Sequence, residues 1–227
     1  MESIKNNEII DLIENEANLS VDNFIEGAIE LAKEVHSGVK REDGTSSFLE
    51  THIWPVVMDV IRHYRSASKP ISSIQIVSAI LHDVLEDNER ILDLYSSKSY
   101  GFDAYFEHRF GHYVNKVATT LKTKPIEMYQ GSDNKEREFE RFHDYCNVLA
   151  KSDYDVKVIK LADRLNNMKF IVKVPGNEKI MRYVREAEDF YIAYTILDPP
   201  MSDFYLQIRE SYEQLKKIKK MPDLVTQ

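Results

Sequence analysis

Apolar residues return every three or four positions along most of this chain, as in Val158, Leu161, Ala162, Leu165 and Met168, or Ile74, Val77, Ala79, Ile80 and Leu81. That is the period of one face of an α-helix, and a strand would need alternation instead. Only seven glycines occur in 227 residues, and no Asn-Gly or Asp-Gly pair sits between alternating apolar runs, so the hairpin turns of an all-β fold are missing. The expected fold is all-α, a bundle of about ten helices in one domain spanning 1–227. Ser72 followed by Gln75 has the form of a capping box, and Pro125, Gly131, Pro175-Gly176 and Pro199-Pro200 mark helix ends. These signals place helices near 7–17, 21–37, 49–66, 72–86, 102–110, 111–122, 135–150, 153–171, 177–196 and 202–219. The polar stretch 37–47 is read as a loop.

Composition narrows the function. There is no apolar run of the length a membrane span needs, and the first ten residues lack the pattern of a secretory signal, so a cytoplasmic protein is expected. Thirty Lys and Arg against 38 Asp and Glu give a net charge of −8, which argues against nonspecific binding of nucleic acid or anionic membrane. An anionic substrate would need positive charge held locally. With a single cysteine, Cys146, a metal would have to be bound by His and carboxylates.

Two segments put ionisable groups where apolar ones would be cheaper. In Ile80-Leu81-His82-Asp83-Val84-Leu85-Glu86-Asp87 they crowd the end of an apolar helix. His82 and Asp83 can reach one cation, and Glu86 and Asp87 lie one turn further on. The residues alone leave a second reading open, in which His82 caps the helix and the acids are solvated. In Val158-Ile159-Lys160-Leu161-Ala162-Asp163-Arg164-Leu165-Asn166-Asn167-Met168, Asp163 and Asn167 share a stripe at the core edge. A buried ion pair with Arg164 is the alternative there. Lys40 and Arg41 bring positive charge to the 37–47 loop, and His52 begins a helix whose apolar face carries Ile53, Val56, Val57 and Val60.

Taken in order, His36-x-Gly38-x-x-Arg41, His52, Leu81-His82-Asp83-x-x-Glu86-Asp87, Phe110-Gly111-x-x-Val114 and the run from Ile159 to Met168 resemble the hydrolase domain of the RelA/SpoT family, which is of the metal-dependent HD phosphohydrolase type. The resemblance covers about 24–195 and leaves no room for the family's synthetase and regulatory regions, so the match is to a stand-alone small alarmone hydrolase. Val39, Ser47-Phe48 and Ile53 depart from the family pattern around the loop. The resemblance implies one divalent ion, commonly Mn²⁺, held by His52, His82, Asp83 and Asp163, with Glu86 and Asp87 catalytic. It implies Lys40, Arg41, Arg164 and Asn167 as substrate contacts, with Lys122 and Lys124 as further candidates for phosphate. The implied reaction removes the 3′-pyrophosphate of ppGpp or pppGpp. Another phosphorylated nucleotide such as NADPH, or a catalytically silent nucleotide-binding regulator, is the alternative. The implied partner is a small nucleotide, and a homodimer is compatible with it.

Overall fold

The computed structural model describes residues 3–86 and 101–219. Among them are ten α-helices and no β-strand, the one isolated bridge pairing Lys40 with Ser47. In chain order the helices are α1 (Ile9–Ala17), α2 (Asn23–Val35), α3 (Trp54–Ser66), α4 (Ser73–Ile80), α5 (Phe102–Leu121), α6 (Asn134–Lys151), α7 (Tyr154–Ile171), α8 (Lys179–Glu186), α9 (Ile192–Leu197) and α10 (Ser202–Lys219). None of them is long and apolar enough to cross a membrane.

α7 is the central helix. Its buried residues, from Val156 and Val158 through Leu161, Leu165 and Met168 to Ile171, point in almost every direction, as expected of a helix enclosed on all sides. α3 and α10 pack along it, and α5, α6 and α8 also touch it. α3 is nearly as enclosed: Trp54, Val56, Val57, Val60 and Ile61 are all buried. The Trp54 indole N–H still finds a partner, donating to Asn6 Oδ1 at 2.8 Å, which ties the N-terminal segment to the core.

Helix ends follow local chemistry. Asp22 accepts from the backbone N–H of Phe24 and Ile25 and starts α2; Asp133 does the same for Lys135 and Glu136 at α6. At α4 the Ser72 N–H donates to Gln75 Oε1 at 3.0 Å, the returning half of the capping box. Gly111, at φ +84° and ψ 162°, breaks α5 where the sequence places a boundary between two helices.

Three expected helices differ. The one expected over 72–86 stops at Ile80, and 81–86 continue as turns. Here the His82 ring donates Nδ1–H to the Ala79 carbonyl at 2.7 Å, taking the acceptor that a continuing helix would give to the next backbone N–H. The helix expected over 49–66 opens with a π turn, Leu49–Ile53, before α3 begins. The helix expected over 177–196 is likewise interrupted by a π turn, Ala187–Tyr191, between α8 and α9.

Candidate metal centre and its cleft

Three pieces of chain converge on one point. The π turn before α3 carries His52, the turn after α4 carries His82 and Asp83, and the middle of α7 carries Asp163. One donor atom from each of the four lies within 4.8 Å of all the others. At bond lengths of about 2.0–2.3 Å, donors to a single ion sit about 4–5 Å apart at most, so the spacing is that of one cation's ligand set.

Hydrogen bonds fix what these atoms present. The Asn166 amide donates Nδ2–H to the Thr51 carbonyl at 3.2 Å, so its oxygen faces the other way, where Arg41 Nη1 donates to it at 3.3 Å. That oxygen is also 2.9 Å from His52 Nδ1, which must therefore carry the proton. The lone pair of a neutral His52 then lies on Nε2, 3.0 Å from Asp83 Oδ2 and 3.6 Å from Asp163 Oδ1. In His82 the bond to Ala79 likewise protonates Nδ1 and leaves Nε2, which is buried without a hydrogen-bond partner, 3.3 Å from Asp83 Oδ2. Two imidazole Nε2 atoms and two carboxylates face one another, an arrangement that calls for a shared positive charge, a proton or a metal cation.

The electrostatics say the same. Burial alone would push His82 down, yet the Asp83 and Asp163 carboxylates overcome it and raise its pKa to about 9. Burial would push Asp83 up, and the His82 and His52 rings instead hold it well below the usual carboxylate range. Asp163 is also held low, against its burial, chiefly by Lys160, whose Nζ is 2.7 Å from Oδ2. Asn167 Nδ2 donates to Asp163 Oδ1 at 2.5 Å. The respective alternatives now resolve differently. His82 does cap α4, but through Nδ1, which leaves Nε2 for the cluster. Asp163 is ion-paired with Lys160, while Arg164 pairs with Glu186 at 2.6 Å.

A cleft of ≈ 210 Å³ opens beside the cluster, walled by Asp83, Glu86, Lys160, Asp163, Arg164 and Asn167 on one side and by α6 and α8 on the other. Thr123, on the segment between α5 and α6, holds Glu86 Oε1 through both its backbone N–H and its hydroxyl, the latter at 2.8 Å. Desolvation by the surrounding walls, then the charge of Asp83, keep the Glu86 carboxyl above its ordinary pKa. Asp87 lies outside the described residues.

The expected substrate contacts separate. Arg164 and Asn167 line the cleft, the former stacked between Tyr183 and Tyr191 with its charge committed to Glu186. Lys40 is exposed, outside the cleft lining, beside the bridge to Ser47. Arg41 is 5% exposed and lies behind the cluster, its guanidinium 4.2 Å over the Phe170 ring. Lys122 is exposed, and Lys124 pairs with Asp144 at 2.8 Å. The local positive charge comes instead from Arg141 on α6 and Arg182 and Arg185 on α8, beside the acidic Glu138 and Glu186, while Lys160 is committed to Asp163. Sequence reading misses these because an arginine on an amphipathic helix has no signature of its own. Asn166 and Thr123 are missed for a related reason: the clue of two adjacent amides inside an apolar run says that Asn166 has a partner, without saying which.

No curated protein matches the sequence. Among solved structures, the chain is similar to a metazoan ortholog of SpoT, described as hydrolysing ppGpp and playing a role in starvation responses, with a TM-score of 0.61, 19% identity, and coverage of 86% of this chain and 97% of that one. At that identity the likeness speaks to the fold. The sequence itself matches the HD domain over residues 28–193, most of its length, with the clustered His52, His82, Asp83 and Asp163 inside the match, and the chain therefore belongs to the HD domain family.

Proposed function

We propose that this protein is a divalent-metal-dependent hydrolase that removes the 3′-pyrophosphate of ppGpp or pppGpp, giving GDP or GTP and pyrophosphate. The observation that carries the reading is the convergence of two imidazole Nε2 atoms on two carboxylates at the wall of a cleft rich in arginine. His52, His82, Asp83 and Asp163 would hold the ion. Imidazole and carboxylate together suit Mn²⁺, Fe²⁺ or Zn²⁺, and Mn²⁺ is proposed. Bound there, a divalent cation would polarise a phosphoryl oxygen and make a water more acidic.

The remaining work falls to the chain's own groups. Glu86, anchored through Oε1 by Thr123, has Oε2 left to take the proton of the attacking water, and its raised pKa moves it toward the range a general base needs. Arg141, Arg182 and Arg185 would balance the charge of a phosphorylated substrate in a molecule that is negative overall. The likeness to a ppGpp-hydrolysing protein supports the choice of substrate.

A second reading keeps the chemistry and changes the nucleotide. It is favoured by the placement of Lys40 and Arg41 away from the cleft lining, which leaves guanine without the contacts the loop is expected to make. Purified protein with Mn²⁺ and a panel of ppGpp, pppGpp, NADPH and nucleoside monophosphates decides between them. Release of pyrophosphate from ppGpp with a kcat/KM well above the others is the expected result; preferential dephosphorylation of NADPH would select the second reading, and no turnover of any would overturn both.

A further inference from the structure

Arg41 is the least expected residue in this region. It is charged, buried, and reaches the core from a surface turn. Asp43 Oδ1 accepts from the backbone N–H of Thr45 and Ser46, and Gly44 takes a φ of +72°, so the chain reverses tightly. The Arg41 N–H then donates to the Ser46 carbonyl at 3.0 Å, and the Phe48 N–H to the Val39 carbonyl at 3.1 Å, which fixes the turn on both sides. From this base the side chain enters the core and spends its donors on protein. Nε meets Glu42 Oε2 at 3.2 Å, Nη1 meets Asn166 Oδ1 at 3.3 Å, and Nη2 meets Asn167 Oδ1 at 2.9 Å. Its flat face lies on Phe170.

The two amides it contacts are those that hold the cluster. Asn166 sets the protonated nitrogen of His52, and Asn167 donates to Asp163. A carboxamide can turn end for end, and a turned Asn166 would offer N–H to His52 Nδ1, favouring the tautomer whose proton sits on Nε2, toward the cluster. Two neighbours prevent that turn: the Thr51 carbonyl can only accept and the Arg41 guanidinium can only donate. Pro55 contributes from the helix side, since it has no N–H to return to the preceding turn, which contains Thr51.

We propose that Arg41 and Asn166 are positioning residues, a relay that fixes the imidazole of His52 with its Nε2 lone pair toward the metal and steadies Asp163 through Asn167. This rests on the metal centre proposed above. It assigns to Arg41 a role in metal binding in place of contact with the nucleotide base. Lysine could not replace it, because a single ammonium cannot bridge two amide oxygens with a planar fork while stacking on Phe170.

The test is Mn²⁺ affinity, measured by calorimetry or electron paramagnetic resonance on wild type, Asn166→Leu, Asn166→Asp and Arg41→Lys, beside thermal melts without metal. Both Asn166 variants lose the donor to Thr51, but only Asn166→Leu loses the acceptor facing His52 and Arg41. Asn166→Leu is expected to bind Mn²⁺ about 10–100-fold more weakly, the usual effect of removing a partner of a metal-ligating histidine, and Asn166→Asp to stay close to wild type. Equal Mn²⁺ affinity in the two variants overturns the relay alone. Arg41→Lys is expected to weaken Mn²⁺ binding and, once Mn²⁺ is saturating, to leave the nucleotide KM unchanged; a raised KM at saturating Mn²⁺ overturns the relay in favour of direct contact. A wild type that takes up no Mn²⁺ overturns the metal centre and the relay together.

Discussion

At the residue scale, the proposed function divides the site into groups that would hold the metal and one, Glu86, that would move a proton. Glu86 is outside the four-donor cluster and is held by Thr123, so its charge can be removed without touching a ligand atom. Glu86→Gln is expected to keep Mn²⁺ affinity near wild type while lowering kcat by roughly 10²–10⁴-fold, the usual contribution of positioned proton transfer. Metal titration and steady-state kinetics on the same preparation check this. Unchanged kcat would remove Glu86 from the mechanism. Four of the residues now clustered, His52, His82, Asp83 and Asp163, are legible in the sequence through the resemblance of their motifs to a known family; their chemistry alone marks His82, Asp83 and Asp163 as needing partners and leaves His52 an ordinary core-edge histidine. Their partners are not legible, since Asn166 lies 114 positions from His52 and Asn167 lies 126 from Arg41.

At the element scale, the boundaries that sequence locates well are those set by a local chemical need, and those it misplaces answer to a distant one. Gly111 is the first kind. Its φ of +84° with ψ of 162° is a conformation that only glycine adopts without strain, and a Cβ there would meet nothing within 4 Å. Gly111→Ala should therefore cost conformational strain alone, about 1–3 kcal/mol, and lower Tm by roughly 2–10 °C without loss of helix by circular dichroism. A Tm equal to wild type would show that α5 can straighten. The end of α4 is the second kind. Nothing in Leu81-His82-Asp83 forbids helix, and the chain leaves it where the His82 ring takes the Ala79 carbonyl and turns Nε2 toward His52 and Asp163.

At the scale of the whole molecule, α7 gathers the rest of the chain through buried polar groups as well as apolar ones. Asp155 near its start accepts from Tyr64 of α3, from Gln75 of α4 at 3.0 Å and from Tyr113 of α5 at 2.8 Å. α10 is docked on the same end around His63, which bonds Tyr154 at 2.7 Å, stacks on Phe204 at 4.9 Å and lies 3.6 Å from Asp203. Burial lowers the His63 pKa, with Lys69 adding to it and Asp203 opposing. The folded state thus resists a proton that the unfolded chain accepts near pH 6.5, so this group is neutral toward stability at high pH and costs stability as pH falls below about 6.5. Replacing it by the similarly shaped His63→Phe should flatten the fall in Tm between pH 7 and 5 relative to wild type, whatever its offset at pH 8. Parallel Tm curves for the two proteins would refute this account.

The sequence by itself determined the helical class and most helix positions, because periodicity and capping act within a few residues of one another, and it brought out the four clustered donors through the family resemblance of their motifs. Only the tertiary structure decided how those donors are used. Which nitrogen of each imidazole faces the cluster depends on acceptors at Ala79 and Asn166; which base neutralises Asp163 depends on how α7 meets its neighbours; and Arg41 sits behind the cluster while Arg141, Arg182 and Arg185 face the cleft because α6 and α8 close over it. These are questions of orientation and distance between segments far apart in the chain, and hydrogen-bond direction and charge pairing are settled only when packing has brought the segments together.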